Sequence, residues 1–138
     1  MFDATPVPPS DAVGDDARPV VLVVEDNADT RMLLDRILRK SYRVTTVGGA
    51  REALVAMNHQ RFDALVLDIN LGGKETGADV LRIARSLPDH DEVFAVALTA
   101  YALPGDRERL LSAGFDAYIS KPFTRHALLA ELESGVSA

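Results

Sequence analysis

Four places in this 138-residue chain hold side chains that could do chemistry together. Glu25 and Asp26 follow the apolar run Val20-Val21-Leu22-Val23-Val24, and Asp68 ends the run Ala64-Leu65-Val66-Leu67. Thr99 follows Phe94-Ala95-Val96-Ala97-Leu98, and Lys121 stands just past Ala117-Tyr118-Ile119-Ser120. Three carboxylates brought to one place repel each other and call for a cation. A ligand set made only of oxygens suits Mg²⁺, which prefers six oxygens and keeps several of its waters. The charges of the three carboxylates, one divalent ion and the Lys121 ammonium cancel. Such a site is ready for a phosphoryl group, whose oxygens the ion, the ammonium and the Thr99 hydroxyl would hold. Asp68 would then be the nucleophile and form an acyl phosphate.

For these groups to meet, the runs that precede them must lie side by side. Each is a short apolar stretch, too short for a helix and dense enough to be a strand buried on both faces. In an open α/β sheet, ligands bind beyond the carboxyl ends of such strands. Between them the sequence alternates to helical spacing. Asp29 is the expected N-cap of a helix to about Lys40, with Leu33, Leu34, Ile37 and Leu38 on its inner face. Arg43 to Val47 is β-branched and reads as a strand, Gly48-Gly49 breaks the chain, and Ala50 to about Asn58 returns a helix with Ala53, Leu54 and Met57 inward. After Asp68 comes a glycine-rich loop, Asn70 to Gly77, then a helix from about Ala78 to Ser86 that buries Val80, Leu81 and Ala84.

Pro88 to Glu92 reads as a polar connection. A fourth helix is expected from about Pro104 to Ala113 with Gly114 as its stop, and Thr124 caps a fifth to about Glu133. Five strands alternating with five helices through short connections make right-handed crossovers and a doubly wound parallel sheet with helices on both faces. One domain is expected over residues 19–138. Residues 1–18, with Pro6, Pro8, Pro9 and four aspartates, read as a disordered tail that carries −3 of the net charge of −6.

That acidic balance leaves no basic excess for a nucleic-acid backbone. With no cysteine, neither a disulfide framework nor a thiolate metal site is available. No apolar run approaches the roughly 20 residues of a membrane span, and the N-terminus lacks a signal peptide's basic start and apolar middle. A cytoplasmic protein is the expectation.

The acidic pair Glu25-Asp26 after the first strand, Leu65-Val66-Leu67-Asp68, Thr99-Ala100 and Lys121-Pro122-Phe123 together resemble the receiver domain of two-component response regulators, over residues 19 to about 134. The resemblance implies a flavodoxin-like sheet of order 2-1-3-4-5. It implies that Asp68 is the phospho-acceptor, Asp26 a direct Mg²⁺ ligand, Glu25 a ligand through water, and Asn70 the donor of a backbone carbonyl to the metal. Lys121 would pair with phosphoryl oxygens ahead of a cis bond to Pro122, Thr99 would swing its hydroxyl to the phosphate, and Tyr118 would turn inward as the aromatic switch. The implied output surface is the fourth helix, fifth strand and fifth helix. The implied donor is a histidine kinase or histidine phosphotransfer protein, and a phosphorylation-dependent homodimer is compatible with the family.

One departure is visible in the sequence. The family's loop usually carries proline four residues past the acceptor and glycine eight past it. Here the fourth position is Gly72 and the next suitable glycine, Gly77, is nine residues from Asp68, so the loop reads as one residue longer and more flexible.

Other residues receive plainer readings. Tyr101 is expected on a lid or partner surface, and His59, His90 and His126 are expected to be solvated. Arg107, Glu108 and Arg109 are expected on an exposed helix face, with a dimer or partner contact as its other use.

Two other functions fit parts of the pattern. A flavin-binding protein of the same sheet order would want Ser, Thr and Gly after the first strand, where Glu25-Asp26-Asn27 stands instead. A metal-dependent aspartyl phosphohydrolase would want a carboxylate two residues after its nucleophile, where Asn70 stands. Met1 and the polar tail favour a stand-alone product; a receiver cut from a hybrid histidine kinase is the alternative.

Overall fold

An unbroken apolar strand hides both of its faces only when helices cover the sheet on both sides. The computed structural model, which describes residues 17–72, 75–100 and 104–136, shows this arrangement. The order is β1 (Val20–Val24), α1 (Ala28–Leu38), β2 (Arg43–Val47), α2 (Ala50–His59), β3 (Ala64–Asp68), α3 (Gly77–Arg85), β4 (Phe94–Thr99), α4 (Asp106–Ser112), β5 (Ala117–Ser120) and α5 (Arg125–Gly135). All strands pair in parallel in the order β2-β1-β3-β4-β5, as expected.

Strand alternation divides the core. Leu22, Val24, Leu65, Leu67, Ala95 and Ala97 meet Ala53 and Met57 of α2 and Val80, Leu81 and Ala84 of α3 on one face. Val21, Val23, Ala64, Val66, Val96 and Leu98 meet Leu34, Ile37 and Leu38 of α1 and Leu128 and Leu132 of α5 on the other. The end of α5 packs so closely that a Cβ on Gly135 would run into the Phe94 ring.

The strand entrances are tied by a repeated device. Asp63, one residue before β3, accepts the Val20 amide at 2.8 Å on Oδ2 and gives its own amide to the Val20 carbonyl at 2.8 Å. Asp116, one residue before β5, does the same with Ala95, at 2.8 Å and 2.9 Å. Arg85 adds bonds to the carbonyls of Val93 (2.6 Å) and Gly114 (2.9 Å).

Several expectations need correction. The N-cap of α1 is Asn27, not Asp29: its side chain accepts the Thr30 amide at 2.9 Å, so the helix begins earlier than the acidic residue suggested. Leu33 is 47% exposed, because the buried stripe of α1 runs through Leu34, Ile37 and Leu38 alone. Leu54 is only half-buried. The fourth helix starts at Asp106, after Gly105 with a φ of 88°, so Pro104 lies in the preceding turn. Gly114, at φ 106°, does stop that helix, and Thr124 does cap α5, accepting the Ala127 amide at 3.0 Å. Tyr101, residues 1–16, and residues 73–74 of the glycine-rich loop lie outside the described residues.

His90 was expected in solvent and is instead 1% exposed, at the end of a 3₁₀ turn over Pro88–His90. Its Nε2 accepts the Phe62 amide at 3.1 Å, while Nδ1 is buried and meets no partner among the described residues. Burial holds its pKa below the ordinary imidazole value; Asp89 opposes this and Arg61 adds to it. The folded state therefore binds the proton less readily than the unfolded chain. Stability is full above the unfolded imidazole value and falls as pH drops through it toward the folded one. We expect the loss of urea stability between about pH 8 and about pH 5 to shrink in His90→Gln, whose amide oxygen accepts from Phe62 at every pH. An unchanged loss would place the acid sensitivity elsewhere.

Candidate functional site

Sheet order reverses between β1 and β3, since the chain steps from β1 outward to β2 and returns on the other side. At such a point the connections leave in opposite directions and open a crevice beyond the carboxyl ends. Glu25 and Asp26 leave β1 on one side of it, and Asp68 ends β3 on the other.

The acidic turn is built tightly. Glu25 donates its amide to the Val47 carbonyl at 3.1 Å, and its side chain accepts the Asn27 amide at 3.1 Å on Oε2. Asn27 then caps α1, so helix and turn are set by one residue. Glu25 is 1% exposed and Asp68 3%, whereas Asp26 faces solvent. One ligand oxygen from each of the three lies within 4.8 Å of the others, and this is the single cluster of that kind among the described residues.

Asp68 is fixed by its neighbours in the ladder. It pairs with Leu98, the Ile69 amide continues to the Leu98 carbonyl at 2.8 Å, and the Asn70 amide donates to Asp68 Oδ1 at 3.0 Å. Lys121 reaches in from the end of β5. Its Nζ lies 2.8 Å from Glu25 Oε1 and 3.3 Å from Asp68 Oδ2. Burial works to lower the Lys121 pKa, but the bond to Glu25, the charges of Asp68 and Glu25, and the bond to Asp68 raise it on balance, so the ammonium stays charged. Its backbone amide donates to the Thr99 carbonyl at 2.7 Å, and the Lys121–Pro122 bond is cis. Thr99 is buried at the end of β4, opposite Ser120 of β5. Tyr118 lies half-buried on β5 opposite Ala97, packed against the core face that α2 and α3 cover.

Thus Glu25, Asp26, Asp68, Thr99 and Lys121 all come to one sheet edge, with Asn70 beside them. His59 and His126 are exposed, and Arg107, Glu108 and Arg109 lie on an exposed face of α4, where Arg109 pairs with Asp106. Two contacts were not foreseen. Arg31 of α1 donates from Nη1 to the carbonyls of Glu25 (2.9 Å) and Asp26 (3.3 Å). The backbone of Gly72 lies so near Asp26 that a Cβ there would stand 2.7 Å from its Oδ2. Neither leaves a sequence signal, because both act on a turn whose path only the fold defines.

The carboxylates fit a divalent cation. The set is all oxygen, two members are buried, and its negative charge is only partly offset by Lys121. Arrangements of this kind can also stabilise charge developing on a transferred group, since the ammonium is already aimed between two of the carboxylates.

The sequence profile described as the response regulator receiver domain matches residues 21–133. The transcriptional regulatory protein PrrA of Mycobacterium tuberculosis is 40% identical over 121 residues, which are 87% of this chain and 49% of PrrA. The chain therefore spans about half the length of that relative. The polar-differentiation response regulator DivK of Brucella anthropi is 31% identical over 118 residues, 83% of this chain and 93% of DivK. Among solved structures, the receiver domain of the sensor histidine kinase PA1611 from Pseudomonas aeruginosa PAO1, with a magnesium ion in its active-site cleft, superposes with a TM-score of 0.77 at 37% identity. That match covers 86% of this chain and 98% of the other.

Gly77 gives this geometry a mechanical test. A Cβ there would collide with the Asp68 carbonyl oxygen and stand 3.0 Å from its carbonyl carbon, both backbone atoms that cannot step aside. At Gly72 the obstacle is the rotatable end of Asp26. We expect Gly77→Ala to lose about 1–3 kcal/mol in urea denaturation and Gly72→Ala under about 0.5 kcal/mol. Equal losses would mean that the start of α3 does not bear on Asp68.

Proposed function

The chain belongs to the response regulator receiver family, and from that membership we propose that Asp68 accepts a phosphoryl group from a phosphohistidine donor. A receiver domain is a phospho-acceptor of two-component signalling, working with histidine kinases or phosphotransfer proteins. The observation that carries the assignment to Asp68 is the meeting of Glu25, Asp26 and Asp68 within 4.8 Å, with Lys121 Nζ bonded to two of them.

The proposed step balances simply. A carboxylate oxygen of Asp68 forms a bond to phosphorus as the phosphorus–nitrogen bond of the donor breaks, and the imidazole nitrogen keeps the electron pair and takes a proton from solvent. Glu25, Asp26, Asp68 and the Asn70 carbonyl would hold Mg²⁺, which supplies charge neutralisation for the phosphoryl oxygens. Asp68 is oriented for attack by the Asn70 amide on its Oδ1. Lys121 is held ready by Glu25 and Asp68 and would turn to a phosphoryl oxygen. Thr99 would give its hydroxyl to another. Asn70 cannot take up a proton as a second carboxylate would, which favours a retained phosphoryl group over rapid hydrolysis.

The change would propagate through what Thr99 and Lys121 share. Phosphorylation shifts a surface only through contacts that differ between the two states. Thr99 leads toward α4 and is tied through its carbonyl to Lys121, while Tyr118 lies one strand away. The responding surface in this reading is α4, β5 and α5.

Incubation with a small phospho-donor and Mg²⁺ should add one phosphoryl group to the wild type and none to Asp68→Asn. Acid-stable label in that variant would place the group on another residue type. Thr99→Ala should still be labelled but should lose most amide shift changes around Tyr118 and α4 that a phosphate mimic produces in wild type. Changes concentrated instead on residues 70–77 and α1 would put the output on the other side.

A further inference from the structure

We propose that Arg31 is a positioning residue for the cation pocket: it fixes the backbone of Glu25 and Asp26 and so sets the affinity for Mg²⁺. The inference rests on the reading of these carboxylates as a metal site.

Arg31 closes the first turn of α1, half-buried, and its guanidinium turns back toward the chain that precedes the helix. One nitrogen, Nη1, serves two successive carbonyls, 2.9 Å from that of Glu25 and 3.3 Å from that of Asp26. These peptide groups belong to the two residues whose side chains diverge at the site, one buried and one exposed. Holding both carbonyls on one side fixes where both Cα–Cβ bonds point. The rest of the turn is held from other directions, by the Glu25 amide on Val47 and the Asn27 amide on Glu25 Oε2.

The neighbouring loop leaves room for this side chain. A Cβ at Gly48, between β2 and α2, would stand 3.3 Å from Arg31 Nη1, the nearest heavy atom it would meet. That spacing is already tight for a methyl group, so a larger side chain there would crowd the guanidinium where it meets the two carbonyls. Gly48 and Arg31 are thus two handles on one contact. The Arg31 charge also repels the metal it helps to place, so a change that keeps the charge isolates the geometric part. Lysine does so, but ends in a compact ammonium without the planar fork.

The experiment is an Mg²⁺ titration of the full chain followed by amide shifts at residues 26, 68 and 70, alongside melting temperatures in metal-free buffer. Wild type and Asp26→Asn come first; equal binding by the two would overturn the metal reading itself and this inference with it. Given tighter binding by wild type, Arg31→Lys should raise the Kd about tenfold, the lower end for groups that orient metal ligands. Gly48→Val should raise it in the wild-type background and add little in Arg31→Lys. A Kd unchanged in Arg31→Lys, with or without a lower metal-free melting temperature, would make Arg31 a tie of the helix and nothing more. Full additivity of the two changes would show that Gly48 does not act through Arg31.

Discussion

Like charges brought together at the mouth between β1 and β3 constrain everything around them. Two of the three carboxylates are almost wholly buried, where the loss of water makes their repulsion hardest to relieve. The fold supplies one ammonium, from Lys121, and amides from Asn27 and Asn70. That compensation is partial, and its incompleteness is what suits the pocket to a divalent ion. A fully neutralised cluster would be more stable and of no use as a switch.

The groups that answer the charge come from opposite sides of the sheet centre. The acidic turn is fixed by α1 and the end of β2, whereas Lys121 and Thr99 come from the ends of β5 and β4. A ligand held between them therefore bridges two parts of the fold joined mainly through the β3 strand. The backbone bond from Lys121 to Thr99 ties the ends of these two strands together.

Much of this was legible in the residues. Apolar runs of about five residues with no helical spacing marked β1, β3 and β4, a β-branched stretch marked β2, and the polar residues at the ends of the apolar runs pointed to the candidate site. Signals failed where two candidates competed or where tertiary contact decided. Asn27 and Asp29 are both good caps, and Asn27 prevailed because its amide also binds Glu25. Leu33 looked inward by spacing, yet the stripe facing the sheet is narrower than its apolar run. His90 resembled any loop histidine, and only the Phe62 amide, 28 residues away in sequence, explains its burial. Gly72 shows only loop freedom in the sequence, and its close approach to Asp26 depends on the fold.

The paired aspartates at the strand entrances carry a consequence for how the sheet is aligned. Asp63 and Asp116 each clasp the neighbouring strand with both amide and carboxylate, at the end remote from the carboxylate cluster. A slip of one residue would break both bonds of a clasp and also turn the strand's core side chains to the opposite face. Alignment is thus decided before the chain reaches the far edge. Pairing is thereby pinned at one end of the sheet, much as a zipper is held by its lower stop.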